Sequence, residues 1–77
     1  MNEEAELFIH ELQSELTHIV QQIGQQHTDI ISQQQMSDYL GVLIDSLKYF
    51  HQRGNYGRMA YDLYKAIEFL PSAFPIK

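Results

Sequence analysis

Apolar residues recur along this chain at alternating intervals of four and three. Ala5, Ile9, Leu12, Leu16, Ile19 and Ile23 form one stripe, and Met36, Leu40, Leu43, Leu47 and Phe50 a second. Tyr56, Ala60, Leu63, Ile67 and Leu70 form a third. That spacing keeps side chains on one face of an α-helix, because the helix turns every 3.6 residues. It predicts three amphipathic helices, over about residues 3–23, 33–51 and 56–70. The fold class expected is all-α.

The residues between the stripes place the ends. Asn2 is a good N-cap, and Glu3, Glu4 and Glu6 follow where the helix dipole favours negative charge. Gly24 suits the left-handed position that closes a helix. Gln25 to Ile31 form the first connection. Ser32, with Gln35 three residues on, has the form of a capping box, flanked by Ile31 and Met36 at the staple positions. The glutamine clusters at 21–26 and 33–35 are interrupted by isoleucines and belong to polar faces and helix ends. Gly54 stops the second helix, Asn55 is positioned to cap the third, and Pro71 ends it. The remaining Pro71–Lys77 segment is expected to be extended, since proline restricts its predecessor. Phe74 and Ile76 are expected to fold back onto the helices.

The three stripes differ in breadth. Phe8 and Val20 widen the first on opposite flanks, while its other face carries Gln, Glu, Ser and Thr. The second helix has Tyr39, Val42, Ile44 and Tyr49 off its stripe. Apolar residues on more than one side predict a central helix touching two neighbours. Gly41 within it costs helix propensity, about 1 kcal/mol relative to Ala, and suggests a neighbour passing close by. Short connections imply that successive helices are antiparallel. The expected architecture is a three-helix antiparallel bundle forming a single domain, residues 1–77, with an extended tail.

Length and charge narrow the function classes. A chain of 77 residues is near the lower limit at which one core holds alone. Surplus apolar surface in so small a scaffold is commonly buried by self-association, so a homo-oligomer is expected. The chain has no cysteine, which rules out disulfides and thiolate metal sites. No apolar run approaches the roughly 20 residues of a membrane span. The acidic amino terminus is unlike a signal peptide, and a cytoplasmic location is expected. The net charge of −5 is uneven. Five Glu and Asp29 give −6 over residues 1–31, and the five Lys and Arg against Asp38, Asp45, Asp62 and Glu68 give +1 over the rest. Lys48, Arg53, Arg58 and Lys65 make too thin a patch to neutralise a phosphate backbone, so no nucleic acid is expected.

Candidate chemistry is sparse. Glu15 and His18 have the Glu-x-x-His spacing of di-iron bundles, but such a site needs two of these motifs and two more carboxylates. Both residues flank the stripe, on a face expected to be solvated. His10, His18, His27 and His51 are scattered, and no serine sits on a strained turn beside a base. No phosphate loop or metalloprotease motif is present. The chain is therefore read as non-enzymatic, with no cofactor and no metal. The tyrosines and arginines carry more. Tyrosine buries area while keeping a polar tip, and arginine pairs with carboxylates. Tyr49, Arg53, Arg58, Tyr61 and Tyr64 are the candidate partner-binding residues, on the surface of the second and third helices.

Residues 40–71 also resemble a single tetratricopeptide-repeat helical hairpin. Gly54 and Tyr56 match its turn, Ala66 and Ile67 its small-then-aliphatic pair, Phe50 the aromatic of its first helix, and Pro71 its close. Met59, Leu47 and Ser46 depart from the pattern. The resemblance implies a protein-binding scaffold without chemistry. The function expected is a small interaction or regulatory adaptor that binds a protein or peptide. The alternative is a bacteriocin-immunity or antitoxin-like protein that neutralises a cognate toxin or peptide.

Overall fold

Each of the three stripes becomes a helix. The computed structural model describes residues 3–77, in the order α1 (Glu3–Gln26), α2 (Ile30–Gln52) and α3 (Tyr56–Ala73). No strand occurs among the described residues, and the chain is an all-α three-helix bundle. The proposed cap Asn2 lies outside the described residues.

All three helices run past their expected ends, each for a local reason. α1 continues through Gly24 for another turn. Its last turn is gripped by the tail: Lys77 N–H donates to Gln26 Oε1 at 2.8 Å, and His27 Nε2 lies 2.8 Å from the Pro75 carbonyl. α2 starts three residues early because Asp29 caps it instead of Ser32. The Asp29 carboxylate accepts the Ser32 N–H at 2.9 Å, and Ser32 becomes a first-turn residue of the helix. An aspartate is as good a cap as serine and adds nearly a turn of hydrogen bonds. Ile30 and Ile31 are thereby lifted onto the helix, 81% and 67% exposed.

α3 is capped by Asn55, whose Oδ1 accepts the Arg58 N–H at 3.1 Å, after Gly54 turns the chain at φ 67°. It then passes through Pro71 to Ala73. Proline forfeits one hydrogen bond there but has a helical φ. Leu70, just before it, is fully buried, and its carbonyl accepts the Phe74 N–H at 2.8 Å, which closes the last turn. Beyond α3 only residues 74–77 are non-helical. As expected, Phe74 is buried and Ile76 packs against the core.

The centre of the bundle is α3, not α2. α1 and α2 each pack along α3 and hardly touch one another. α1 runs parallel to α3: Tyr56 Oη donates to Glu6 Oε1 at 2.9 Å near one end, and the His27 ring meets Phe74 edge-on at 5.8 Å near the other. α2 runs antiparallel to α3, with Ser46 Oγ donating to Asp62 Oδ2 at 2.7 Å. The core reflects the same order. α1 contributes Ile9, Leu12, Leu16 and Ile23, and α3 contributes Met59, Leu63, Ala66 and Leu70. α2 contributes Leu43 alone. Met36, Tyr39, Leu40, Leu47 and Phe50 of α2 pack against this core while only partly buried, so α2 is held by partial burial where α1 and α3 bury side chains fully, each of those worth about 1.5–3 kcal/mol. The second apolar side of α2 is not covered by the chain. Nothing lies within 4 Å of where a Gly41 side chain would begin, so no helix of this chain explains that glycine.

Candidate functional site

Two surface features follow from placing α1 and α2 on opposite flanks of α3. One is an aromatic and cationic face on α2 and α3, and the other is an open groove between α1 and α2.

The first face is built by four-residue spacings within helices. Arg53 lies one turn beyond Tyr49, with its guanidinium carbon 3.6 Å from the centre of that ring and Nη1 donating to the Tyr49 carbonyl at 3.1 Å. Lys65 lies one turn beyond Tyr61, its Nζ 5.5 Å from the ring centre. Arg58 joins the helices, 5.1 Å from the Phe50 ring on α2 and 5.4 Å from Tyr61 on α3. The Phe50 ring in turn meets Tyr49 edge-on at 5.1 Å. A continuous run of ring, cation and ring thus crosses the α2–α3 seam. Contacts of this kind are worth about 0.5–1 kcal/mol each when exposed, enough to orient the cations but not to consume them.

Beside the run is a shallow depression of about 220 Å³, rimmed by Tyr39, Val42, Tyr61 and Lys65. Its polar floor is already satisfied. Asp62 accepts Ser46 Oγ through Oδ2 and Arg58 Nε at 3.1 Å through Oδ1, the one ion pair among the described residues. Burial raises the Tyr39 hydroxyl above its ordinary pKa of 10.0, with the Asp62 charge adding to it. Tyr39 therefore stays protonated at neutral pH and keeps a donor at the rim. Its ring stacks on Phe69 at 4.9 Å.

Four of the five candidate residues, Tyr49, Arg53, Arg58 and Tyr61, lie along this run. Tyr64 does not, because it turns toward α1 and tilts against Phe8 at 6.1 Å. Tyr49, Tyr61 and Tyr64 are all about half exposed. Sequence reasoning passed over Lys65, although its position four residues after Tyr61 was the available signal.

The groove is larger, about 780 Å³. Leu16, Leu43 and Leu63 form its floor, and Leu40, Ile44 and Leu47 its α2 wall. Its α1 wall is mostly polar, with the imidazoles of His10 and His18 beside the amides and hydroxyls of Gln13, Ser14, Thr17 and Gln21, and Val20 apolar. No Asp, Glu, Lys or Arg lines it. His18 faces this groove, while Glu15 lies on the exposed surface of α1. Among the described residues no three His, Asp or Glu side chains are grouped to hold a metal. No described helix is long and apolar enough to cross a membrane.

The fold and these surfaces define a small helical bundle with one aromatic and cationic face and one largely apolar groove. Compared with known protein families, curated proteins and solved structures, the chain matches none of them.

Proposed function

We propose that this chain is a small non-enzymatic interaction module that binds a protein or peptide through the α2–α3 face. The observation that carries this reading is the run Tyr49–Phe50–Arg58–Tyr61–Lys65, with Arg53 laid on Tyr49. Half-exposed tyrosines and arginines dominate binding energy at interfaces, because they bury large areas at low entropic cost. Arg53 and Lys65 lack a carboxylate partner within the described residues. A partner segment that combines an apolar or aromatic anchor with Asp or Glu fits the depression and these two cations together.

The test uses Arg53→Ala combined with Tyr61→Ala, leaving Arg58 in place because it holds Asp62. The protein retained by the tagged wild-type chain from its native extract is identified and its affinity measured with purified components. The double variant should keep its circular dichroism spectrum and lose about thirtyfold or more in affinity, as truncating hot-spot residues does. A wild-type chain that retains no partner overturns the reading, and so does a double variant that binds as tightly.

A further inference from the structure

We propose that the end of α1 forms a site that recognises an extended peptide segment carrying an aliphatic side chain after a proline, and that residues 75–77 occupy it in cis as a removable strap. This goes beyond the partner reading and is independent of it, since the site uses none of the residues of the Tyr49–Lys65 run.

The first support is how the segment is held. Gln26 applies both ends of its side-chain amide to one residue. Lys77 N–H donates to Gln26 Oε1 at 2.8 Å, and Gln26 Nε2 donates to the Lys77 carbonyl at 3.4 Å. A neighbouring antiparallel strand exchanges the same pair of bonds with the residue opposite it. Two residues earlier, His27 Nε2 lies 2.8 Å from the Pro75 carbonyl. A carbonyl only accepts, so this ring nitrogen carries the proton and donates it. Between the two, Ile76 packs its side chain against the core. Main-chain bonds at 75 and 77 with an inward side chain at 76 are the alternation by which an extended peptide is read. Pro75 and Lys77 are themselves exposed. The site therefore selects an extended backbone and one aliphatic side chain. A proline at position 75 suits it, because no N–H is needed there and the ring pre-sets the backbone.

The second support is that the strap can leave without unmaking the core. Phe74 is buried and donates its N–H to the Leu70 carbonyl, so it belongs to the end of α3 and stays. Beyond it, all three hydrogen bonds are exposed and Ile76 is only partly buried. Bonds exchanged with water contribute little, and segments with few buried contacts open while the rest of the molecule stays folded.

The third support is that the acceptor is held by contacts the strap does not make. The His27 N–H donates to the Ile23 carbonyl at 2.7 Å, and Ile23 is fully buried. The His27 ring rests edge-on against Phe74 at 5.8 Å. With the strap open, the imidazole and the neighbouring Gln26 amide remain placed for a second segment, and a site formed in advance binds at lower entropic cost.

The test is a titration of the full chain with the peptide acetyl-Ala-Pro-Ile-Lys-amide, followed by NMR through the His27 ring. The wild type is compared with Ile76→Asp, which loosens the strap, and with Ile76→Asp combined with Gln26→Ala. A tethered segment competes at an effective concentration on the order of millimolar, so Ile76→Asp should bind the peptide about tenfold or more tightly than the wild type. Adding Gln26→Ala should weaken that binding about fivefold or more, because two main-chain bonds are lost. An Ile76→Asp chain that loses its helical circular dichroism overturns the proposal, by making residues 75–77 part of the core. An Ile76→Asp chain that binds the peptide no better than the wild type overturns it as well. So does binding that Gln26→Ala leaves unchanged, which would place the peptide elsewhere.

Discussion

Asp29 shows how one side chain sets the start of a helix. Its carboxylate accepts the Ser32 N–H, and that bond, with a smaller contribution from the Ser32 hydroxyl, holds its pKa below the ordinary 3.8. A carboxyl with a depressed folded-state pKa stabilises the fold fully above its unfolded-state value, and this contribution is lost as pH falls through the folded-state value. Asp29→Ala should therefore lower the melting temperature by a few degrees at pH 7. The gap between wild type and Asp29→Ala should narrow, without closing, as the pH is brought from 5 to below the depressed pKa, because the protonated carboxyl still accepts the Ser32 N–H while the charge-dependent part of the cap is lost. Asp29→Asn should retain most of the cap without that pH dependence. Thermal unfolding monitored by circular dichroism at several pH values checks this, and a gap constant down to strongly acid pH would show that the charge is not what caps α2.

At the scale of elements, burial ranks the helices. Leu63 is fully buried on α3 and forms part of the floor between α1 and α2, whereas Leu43 is the lone buried residue of α2. Leu63→Ala should cost about 3–5 kcal/mol and Leu43→Ala about 2, within the range for buried leucines. A 77-residue domain holds roughly 4–12 kcal/mol in all, so the first variant should be near unfolding at room temperature. Urea denaturation gives both values, and equal losses would contradict the central place of α3. The helices themselves were legible in the sequence because the 4-3 stripes record burial directly. Their ranking was not. Tyr39, Val42, Ile44 and Tyr49 show that α2 has several apolar sides, but a sequence does not say which sides the same chain covers. Asn55 caps α3 as expected, but the cap of α2 was missed, because Asp29 and Ser32 are both competent caps three residues apart and a sequence does not rank them. For the candidate surface, the Tyr49–Arg53 and Tyr61–Lys65 contacts follow from four-residue spacing. The link from Arg58 to Phe50 joins two helices and could be seen only once they were packed, as could the groove.

At the scale of the whole molecule, unequal burial and an unfilled groove are one fact. α1 and α3 form a well-packed parallel pair, and α2 leans on α3 through Leu43, the Ser46–Asp62 hydrogen bond and the Tyr39–Phe69 stack. Regions with few buried contacts open locally before the molecule unfolds, so the amides of α2 should exchange faster than those of α3 in dilute protein. Hydrogen exchange read by mass spectrometry measures the difference in protection between residues 37–47 and residues 59–70. Equal protection of all three helices would mean that α2 is held as firmly as its neighbours, and that its partial burial against α3 suffices without a filled groove.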